Sequence, residues 1–288
     1  MSNPFFSAFP IVEYDGVQTR DLSRSVRMPD SLLNSPSAFF PYEIEHETRA
    51  DVLADQYYSD PAMDWLVYLS NGIVDPYHGW YLSEDQFQTH LEKKYGSVED
   101  AERRVARYEF DWETEIAPVS VGYYENNLTE ALLKYYEPVY GANKNVSSYR
   151  RRRVDWRVET NVISTVTVSS LSGAPVTGEL VDSLAIDETV VGYSEVVSVS
   201  GTTVVVKNVV GTLDETVTLL GKTSGFTSAV SSVTETYRAI PLEEAAYWKP
   251  VTMAEVERRK NERNKLVVLL DSDRAPEAVR EFKRKIAE

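Results

Sequence analysis

The segment EVVSVSGTTVVVK, residues 195–207, places β-branched side chains on both sides of a Ser-Gly step. Valine and threonine favour extended backbone because their branched side chains pack well on a pleated sheet. Glycines punctuate this part of the chain at Gly192, Gly201, Gly211, Gly221 and Gly225. A turn signal every ten residues or so is typical of small all-β folds. We therefore predict an inserted β module, a barrel or a sandwich, over residues 159–237.

The flanking sequence is rich in aromatic and charged residues instead. All of the tryptophans lie outside the β-branched region, at Trp65, Trp80, Trp112, Trp156 and Trp248. Apolar residues in the flanks recur at helical spacing, which predicts a helix-rich domain and an α+β fold class. The predicted organisation is an N-terminal arm (1–40), a helical domain (41–158), the β module (159–237) and C-terminal helices (238–288) that complete or extend the helical domain.

Capping signals place the helices before the insert. Asp60-Pro61 supplies an N-cap residue followed by proline at the first helical position. Ser83 with Gln86 begins a second helix. Ser97 begins a longer predicted helix, whose apolar residues recur at heptad-like steps at Val98, Ala101, Val105, Tyr108 and Trp112.

Two more helices are predicted after the insert. Thr252 and Glu255 have the spacing of a capping box and begin a strongly charged helix, which we predict to run on into Leu266–Leu270. A terminal helix with one apolar face is predicted over residues 276–288. That face must be buried inside the fold or against a partner.

Composition excludes several function classes. The chain contains 0 cysteines, so disulfides and zinc-thiolate sites are excluded, and its histidines (His46, His78 and His90) lack metal-ligand spacing. A formal net charge of −15 repels phosphate backbones, so no nucleic-acid partner is expected. No apolar run is long enough to span a bilayer, and we expect neither a membrane partner nor a cofactor.

Three clusters of charge are candidate sites. Arg150, Arg151, Arg152 and Arg153 form a basic run within an acidic chain, which is either a solvated loop or a docking patch for an acidic partner surface. Glu43, Glu45 and Glu47 are predicted to share one face of a strand, and Glu84-Asp85 is a second acidic pair. Glycosidases need two carboxylates in a cleft, but 45 acidic residues produce such pairs by chance. We therefore predict a protein that is not an enzyme.

The segment from Tyr42 to Leu82 contains a further pattern. A strand leads into a first helix, a second helix follows, and the turn Asn71-Gly72-Ile73 precedes a predicted strand at Trp80-Tyr81-Leu82. This strand–helix–helix–strand order resembles a LysM-like module. The matching positions are Leu53, Ala54, Tyr57, Tyr58, Trp65, Asn71 and Ile73.

Longer motifs make the resemblance more specific. They are Tyr57-Tyr58-Ser59-Asp60-Pro61, Asp64-Trp65, Asn71 to Trp80, Lys94 to Ser97 and Tyr247 to Thr252. Together they resemble the baseplate wedge protein 53 family of contractile-tailed bacteriophages, over residues 1–158 and 238–288. The β module has no counterpart in a minimal member.

The resemblance implies a structural subunit of the virion, located in the tail baseplate and assembled in the host cytoplasm. It implies partners among the other wedge subunits, the sheath-initiator and hub proteins, and neighbouring wedges of the ring. The LysM-like pattern leaves one alternative, a peptidoglycan or N-acetylglucosamine-binding module. The partner-contact candidates are Trp65, Tyr68, Trp80, Tyr81, Arg150, Arg151, Arg152, Arg153 and Trp248; Trp65 also fits the apolar stripe of its helix as a core residue.

Overall fold

The structure, a computed structural model, mixes helices and strands in two compact units. It describes residues 4–24, 27–33, 35, 37–45, 48–110, 118–142, 144–152 and 157–287. One unit comprises Met1–His90 with Glu257–Glu288, and the other comprises Leu91–Val256. No helix in the described part of the chain is long and apolar enough to cross a membrane.

The helices and strands alternate along the chain. The helices are α1 (Pro4–Ser7), α2 (Asp30–Leu33), α3 (Ala50–Tyr58), α4 (Asp64–Ser70), α5 (Pro76–Gly79), α6 (Glu84–Tyr95), α7 (Val98–Arg103), α8 (Val121–Asn127), α9 (Glu130–Leu133), α10 (Met253–Asn264) and α11 (Ala275–Ala287), with 3₁₀ helices at Pro61–Met63 and Leu242–Tyr247. The strands are β1 (Ile11–Tyr14), β2 (Val17–Arg20), β3 (Phe39–Glu43), β4 (Val105–Phe110), β5 (Tyr136–Tyr140), β6 (Val146–Arg151), β7 (Arg157–Val158), β8 (Val162–Val168), β9 (Leu180–Leu184), β10 (Val190–Ser200), β11 (Thr203–Gly211), β12 (Thr218–Gly221), β13 (Thr227–Arg238), β14 (Trp248–Thr252) and β15 (Leu266–Leu270).

Several predicted caps form as the side-chain chemistry requires. Asp60 accepts a hydrogen bond from the Ala62 amide at 2.9 Å, and Thr252 Oγ1 accepts one from the Glu255 amide at 3.2 Å. Each bond satisfies one of the backbone donors that a helix leaves unpaired at its start. The capping predictions at these two positions are confirmed.

A two-stranded sheet organises the first unit. β3 pairs antiparallel with β15, with Phe39 opposite Leu270 and Glu43 opposite Leu266. The helices α3 and α4 pack beside it, and Val267 from β15 is buried in their shared core. The predicted extension of the charged helix through Leu266–Leu270 is therefore wrong. The helix ends at Asn264, and the β-branched, leucine-rich segment after it forms an extended strand.

The same pairing corrects the predicted strand–helix–helix–strand module. Residues 80–82 form no strand, and β3 takes its strand partner from residues 266–270 instead. Trp80 is buried in the core beside α3 and α4 rather than lying in a sheet. The last strand of the predicted module is thus wrong, and the LysM-like assignment stays a prediction.

The β-branched region folds into a closed barrel within the second unit. Its strands run in the order β10-β11-β8-β13-β12-β9, every neighbouring pair being antiparallel. Along β8, buried and half-buried residues alternate, as expected for a sheet with one face inward. The barrel interior is filled by side chains that include Val166, Leu219 and Phe226. The prediction of a small all-β module is confirmed, and the barrel is the correct alternative.

Two glycines lie opposite each other where β10 meets β11. Gly192 pairs with Gly211, whose φ of +83° lies in the left-handed region. A Cβ added at Gly211 would lie 2.3 Å from the Val191 carbonyl oxygen. The close approach of these backbones therefore requires glycine at this position.

The segment Val105–Phe110 is a strand, not the helix that the heptad-like spacing predicted. β4 lies at the centre of a three-stranded sheet, between β14 and β7. Val105, Tyr108 and Phe110 are buried. Within the described residues, only α7, Val98–Arg103, remains of the predicted helix, because β-branched and aromatic residues after Arg103 favour pairing with β14. Trp112 lies outside the described residues.

Candidate partner-binding surfaces

The Trp65 side chain is half-buried among aromatic rings of its own unit. Its ring centroid lies 4.6 Å from that of Phe282 and 5.6 Å from that of Phe5. These rings line a shallow cavity of about 180 Å³, bordered by Asp60 and Lys283 at its polar rim. Trp65 thus joins the N-terminal helix α1 to the terminal helix α11, as a core residue with one edge open to the cavity.

Tyr68, Trp80 and Tyr81 also pack within the first unit. The Tyr68 and Trp80 rings meet edge to face, with centroids 5.7 Å apart. Trp80 Nε1 donates a hydrogen bond to the Thr48 carbonyl oxygen at 3.0 Å, so its buried polar atom is satisfied. Tyr81 is half-buried against the same cluster. Their packing accounts for most of the surface of these rings, and a partner contact through their exposed edges remains a prediction.

Asn71 has a structural role that was not predicted from the sequence. Its Nδ2 donates to the carbonyl oxygens of Val67, at 2.8 Å, and Val268, at 2.9 Å. The Val268 amide in turn donates to Asn71 Oδ1 at 2.8 Å. The amide side chain therefore pairs with the outer edge of β15 as a neighbouring strand would.

An exposed apolar pair follows directly after Asn71. The Val74 side chain is 95% exposed and that of Tyr77 is 84% exposed. Asp75, between them, accepts from the Tyr77 amide at 3.0 Å and contacts His78 Nδ1 at 2.7 Å. The His78 hydrogen bond holds the pKa of the Asp75 carboxyl below its usual range. The cap fixes the loop, so the two apolar side chains are presented from an ordered backbone.

A second histidine lies next to this loop. The rings of His78 and His90 are 5.4 Å apart, and His90 Nε2 lies 3.4 Å from a Glu257 carboxylate oxygen. His46 lies outside the described residues. Within the ranges that the structure describes, no group of three or more histidine or acidic side chains is placed to hold a metal ion.

The predicted basic patch is divided by the strand that carries it. Arg150 forms an ion pair with Glu137 at 2.7 Å. Arg151 points to the other face of β6 and is half-buried, which lowers the pKa of its guanidinium. Arg152 Nε donates to the Tyr136 carbonyl oxygen at 3.1 Å. Arg153 lies outside the described residues. The described arginines thus do not form one continuous cationic surface.

Trp248 lies in the aromatic core of the second unit. Its ring meets that of Phe110 edge to face, with centroids 5.5 Å apart, and Phe110 stacks on Tyr135 at 4.2 Å. The Tyr135 hydroxyl donates to the buried Glu244 carboxylate at 2.7 Å, and Lys134 forms an ion pair with the same group. Burial alone would raise the pKa of Glu244, but Lys134 and Tyr135 outweigh it and hold that pKa below its ordinary value.

The acidic residues considered for catalysis are not arranged as a glycosidase pair. Glu43 ends β3 and forms an ion pair with Lys265 at 2.6 Å, whereas Glu45 lies beyond the strand. The predicted shared strand face is therefore wrong for Glu45, and Glu47 lies outside the described residues. Glu84 and Asp85 lie in the first turn of α6, where the helix dipole stabilises carboxylates.

A buried carboxylate does occur in the barrel wall. Asp182 is almost fully buried, and both of its oxygens accept from Arg103 Nη1, at 2.8 and 2.9 Å. Lys222 Nζ lies 3.1 Å from the same carboxylate. Two cations therefore compensate one buried charge, which joins α7 to the barrel. This site is structural, because its charges are satisfied by one another.

Residues 16–116 match the family model of base plate wedge protein 53. The match confirms the resemblance predicted from the sequence for this segment, and the name of the family is that of a structural protein of the phage tail baseplate. It includes Trp65, Asn71, Val74, Tyr77 and Trp80. The β barrel and the C-terminal segment lie outside the match. No curated protein matches the chain.

Proposed function

We propose that this protein is a wedge subunit of a phage tail baseplate that links wedge proteins to each other and to the central hub. The observation that carries the proposal is the base plate wedge protein 53 match over residues 16–116. The proposed partners are wedge subunits, the sheath-initiator and hub proteins, and neighbouring wedges, with assembly in the host cytoplasm. The subunit acts through surfaces and catalyses no reaction.

The exposed pair Val74 and Tyr77 supports this role. Both side chains lie in the matched segment and are almost fully exposed, Val74 just before α5 and Tyr77 within it, and Asp75 caps the start of that helix. When a partner covers large apolar side chains that were exposed on an ordered backbone, the free energy of the complex is lowered. We propose the segment from Val74 to Tyr77 as one contact surface, beside the exposed edges of Trp65, Tyr68 and Tyr81; a contact through Trp80 would need its buried ring to be reached by the partner.

Deletion and complementation in the phage test the role. Without the gene we expect no assembled baseplates by electron microscopy, and a plasmid-borne wild-type copy should restore them. A Val74→Ser, Tyr77→Ser double variant should restore them poorly. The matched control is Ile186→Ser, in a barrel loop, because Ile186 is equally exposed. Normal tails from the deletion strain would refute the wedge role.

The glycan-binding alternative makes a different prediction. A LysM-type module would bind chitin oligomers, and a single module binds weakly without avidity. Titration of the full chain with chitin oligomers, followed by tryptophan fluorescence, tests it directly. Saturable binding at millimolar concentration or below would favour this alternative, and we expect none.

A further inference from the structure

The N-terminal strands β1 and β2 form an antiparallel hairpin. Asp15-Gly16 forms the turn, with φ values of +52° and +75°. Positive φ at both central residues is the geometry that matches the twist of a two-residue hairpin. At its base the Asp21 amide donates to the Pro10 carbonyl oxygen at 2.9 Å, and the Arg20 side-chain atom Nη1 donates to the Phe9 carbonyl oxygen at 2.7 Å. This region is predicted from the sequence only as an arm, although Asp-Gly between two apolar segments is a strong hairpin signal.

The hairpin has two chemically different faces, and both are exposed. Its register pairs Val12 with Thr19 and Tyr14 with Val17, so these side chains share one face. All eight strand residues are exposed, with Tyr14 at 77% and Val17 at 65%. An isolated two-stranded hairpin is at best marginally stable in water. The apolar face therefore gains stability when another surface covers it.

The outer edge of β1 is also open for pairing. In an antiparallel pair, every second residue of a strand forms backbone hydrogen bonds to its partner strand. Because Pro10 is bonded to Asp21, the next residues of β1 that bond to β2 are Val12 and Tyr14. The backbone groups of Ile11 and Glu13 then point away from β2. Among the described residues, no strand pairs with β1 on this side.

Outside this hairpin, the sheet edges that the structure describes are blocked. Prolines Pro41, Pro138 and Pro250 occupy β3, β5 and β14, which are edge strands of their sheets. The Asn71 side chain covers the outer edge of β15, and Val119 pairs with the outer edge of β6. The barrel is closed, and β7 has only two residues. Proteins protect edges in these ways against unwanted strand pairing. The hairpin is the exception, because neither β1 nor β2 has a strand partner on its outer edge among the described residues.

We propose that β1 is a docking strand that extends a sheet of a different baseplate protein; the inference rests on the proposed function. The acceptor has a free edge strand, an apolar surface that covers Val12, Tyr14 and Val17, and a basic group that faces Glu13. A second copy of this chain is not the acceptor, because its own edges, apart from the hairpin, are blocked. A hairpin-to-hairpin contact is also small: stable interfaces use about 20–30 residues on each side, against eight here.

Photo-crosslinking in assembled particles tests the identity of the acceptor. The probe is p-benzoylphenylalanine in place of Tyr14 in the full chain, incorporated during infection, with the baseplates irradiated after purification. We expect crosslinks to residues on an edge strand of another baseplate protein. Crosslinks only to a second copy, only within the chain or to no protein would overturn the proposal. The probe at Ile186 in the barrel is the control for random crosslinking.

Backbone pairing has its own test in Glu13→Pro compared with Glu13→Ala. Proline removes the outward N–H without removing a bond to β2, whereas alanine removes only the carboxylate. We expect Glu13→Pro to lower incorporation into baseplates about tenfold, in keeping with one lost hydrogen bond and a disturbed edge, and Glu13→Ala to lower it about twofold. Circular dichroism of each free chain should match wild type, which excludes misfolding.

The same experiment separates the two proposals. If wild-type chain is absent from purified baseplates, the proposed function fails. If wild-type chain is present and Glu13→Pro is incorporated equally well, β1 pairing fails while the wedge role stands.

Discussion

Replacing Asn71 with alanine removes the side chain that joins α4 to β15. Three hydrogen bonds are lost, from Nδ2 to Val67 and Val268 and from the Val268 amide to Oδ1. The Val268 N–H and C=O groups point away from β3 and lose their partners. Because Val268 is half-buried, water replaces these bonds only in part.

The magnitude follows from the bond count. A net contribution of about 1 kcal/mol for each of the two bonds to Val268, and less for the bond to Val67, makes the loss about 2–3 kcal/mol. The Val67 carbonyl already has its helical partner and contributes less. A loss of this size makes opening of β15 about 30- to 150-fold more frequent.

Amide hydrogen exchange of the free chain measures this opening locally. It is preferable to a global melting curve, because two units need not unfold in one transition. We expect the Val267 and Leu269 amides in β15 to exchange about 30- to 150-fold faster in Asn71→Ala. The matched control is Ser70→Ala, which removes one bond within α4, from Oγ to the Leu66 carbonyl oxygen at 2.7 Å.

The control should change exchange in β15 by less than about twofold, because the Leu66 carbonyl keeps its helical bond. If Asn71→Ala changed it no more than Ser70→Ala, the side-chain bridge would contribute nothing to β15, and the reasoning would be refuted.

Three further predictions concern the second unit. Gly211→Ala should lower its free energy of unfolding by about 3 kcal/mol, and Gly201→Ala, where the added Cβ meets open space, by about 1 kcal/mol, both measured by amide hydrogen exchange in the barrel strands. Arg103→Ala should cost about 3 kcal/mol in the same assay, because Asp182 stays buried with only one cation. Folding lowers the pKa of Glu244, so its carboxylate stabilises the protein above the ordinary pKa of 4.5, and this stabilisation is lost as the pH falls through the folded-state pKa. The difference in stability between wild type and Glu244→Gln should therefore shrink as the pH is lowered. A difference that stays constant with pH would contradict this prediction.

The barrel could be predicted from the sequence because its signals are local. Short β-branched segments and regularly spaced glycines define strands and turns without knowledge of distant residues. The helix caps at Asp60 and Thr252 are local in the same sense, since each bonds a backbone group within three residues. The choice between barrel and sandwich required closure of the sheet, which no local pattern contains.

The errors occurred where pairing with a distant segment decided the structure. Val105–Phe110 has apolar residues at spacings that fit a helix, but β14 pairs with it from the far side of the barrel sequence. Leu266–Leu270 likewise continues a helical pattern until its pairing with β3 is known. Among the candidate aromatic residues, Trp65 was placed correctly on the apolar face of its helix, whereas Trp80 and Tyr81 were predicted in a strand that does not form. Their mostly buried positions, and the exposure of Val74 and Tyr77, required the packed structure.

The pairing of β3 with β15 has a consequence for how the chain reaches its native state. The first unit needs strands from opposite ends of the chain, so during synthesis its sheet waits until β15 has left the ribosome. The barrel strands are complete well before that, and folding of the barrel brings Val162 and Arg238 side by side. The flexible segment between β3 and β15 is thereby shortened, which lowers the conformational entropy that is lost when these two strands pair. We expect the barrel to fold early and so to make the later pairing of β3 with β15 more favourable.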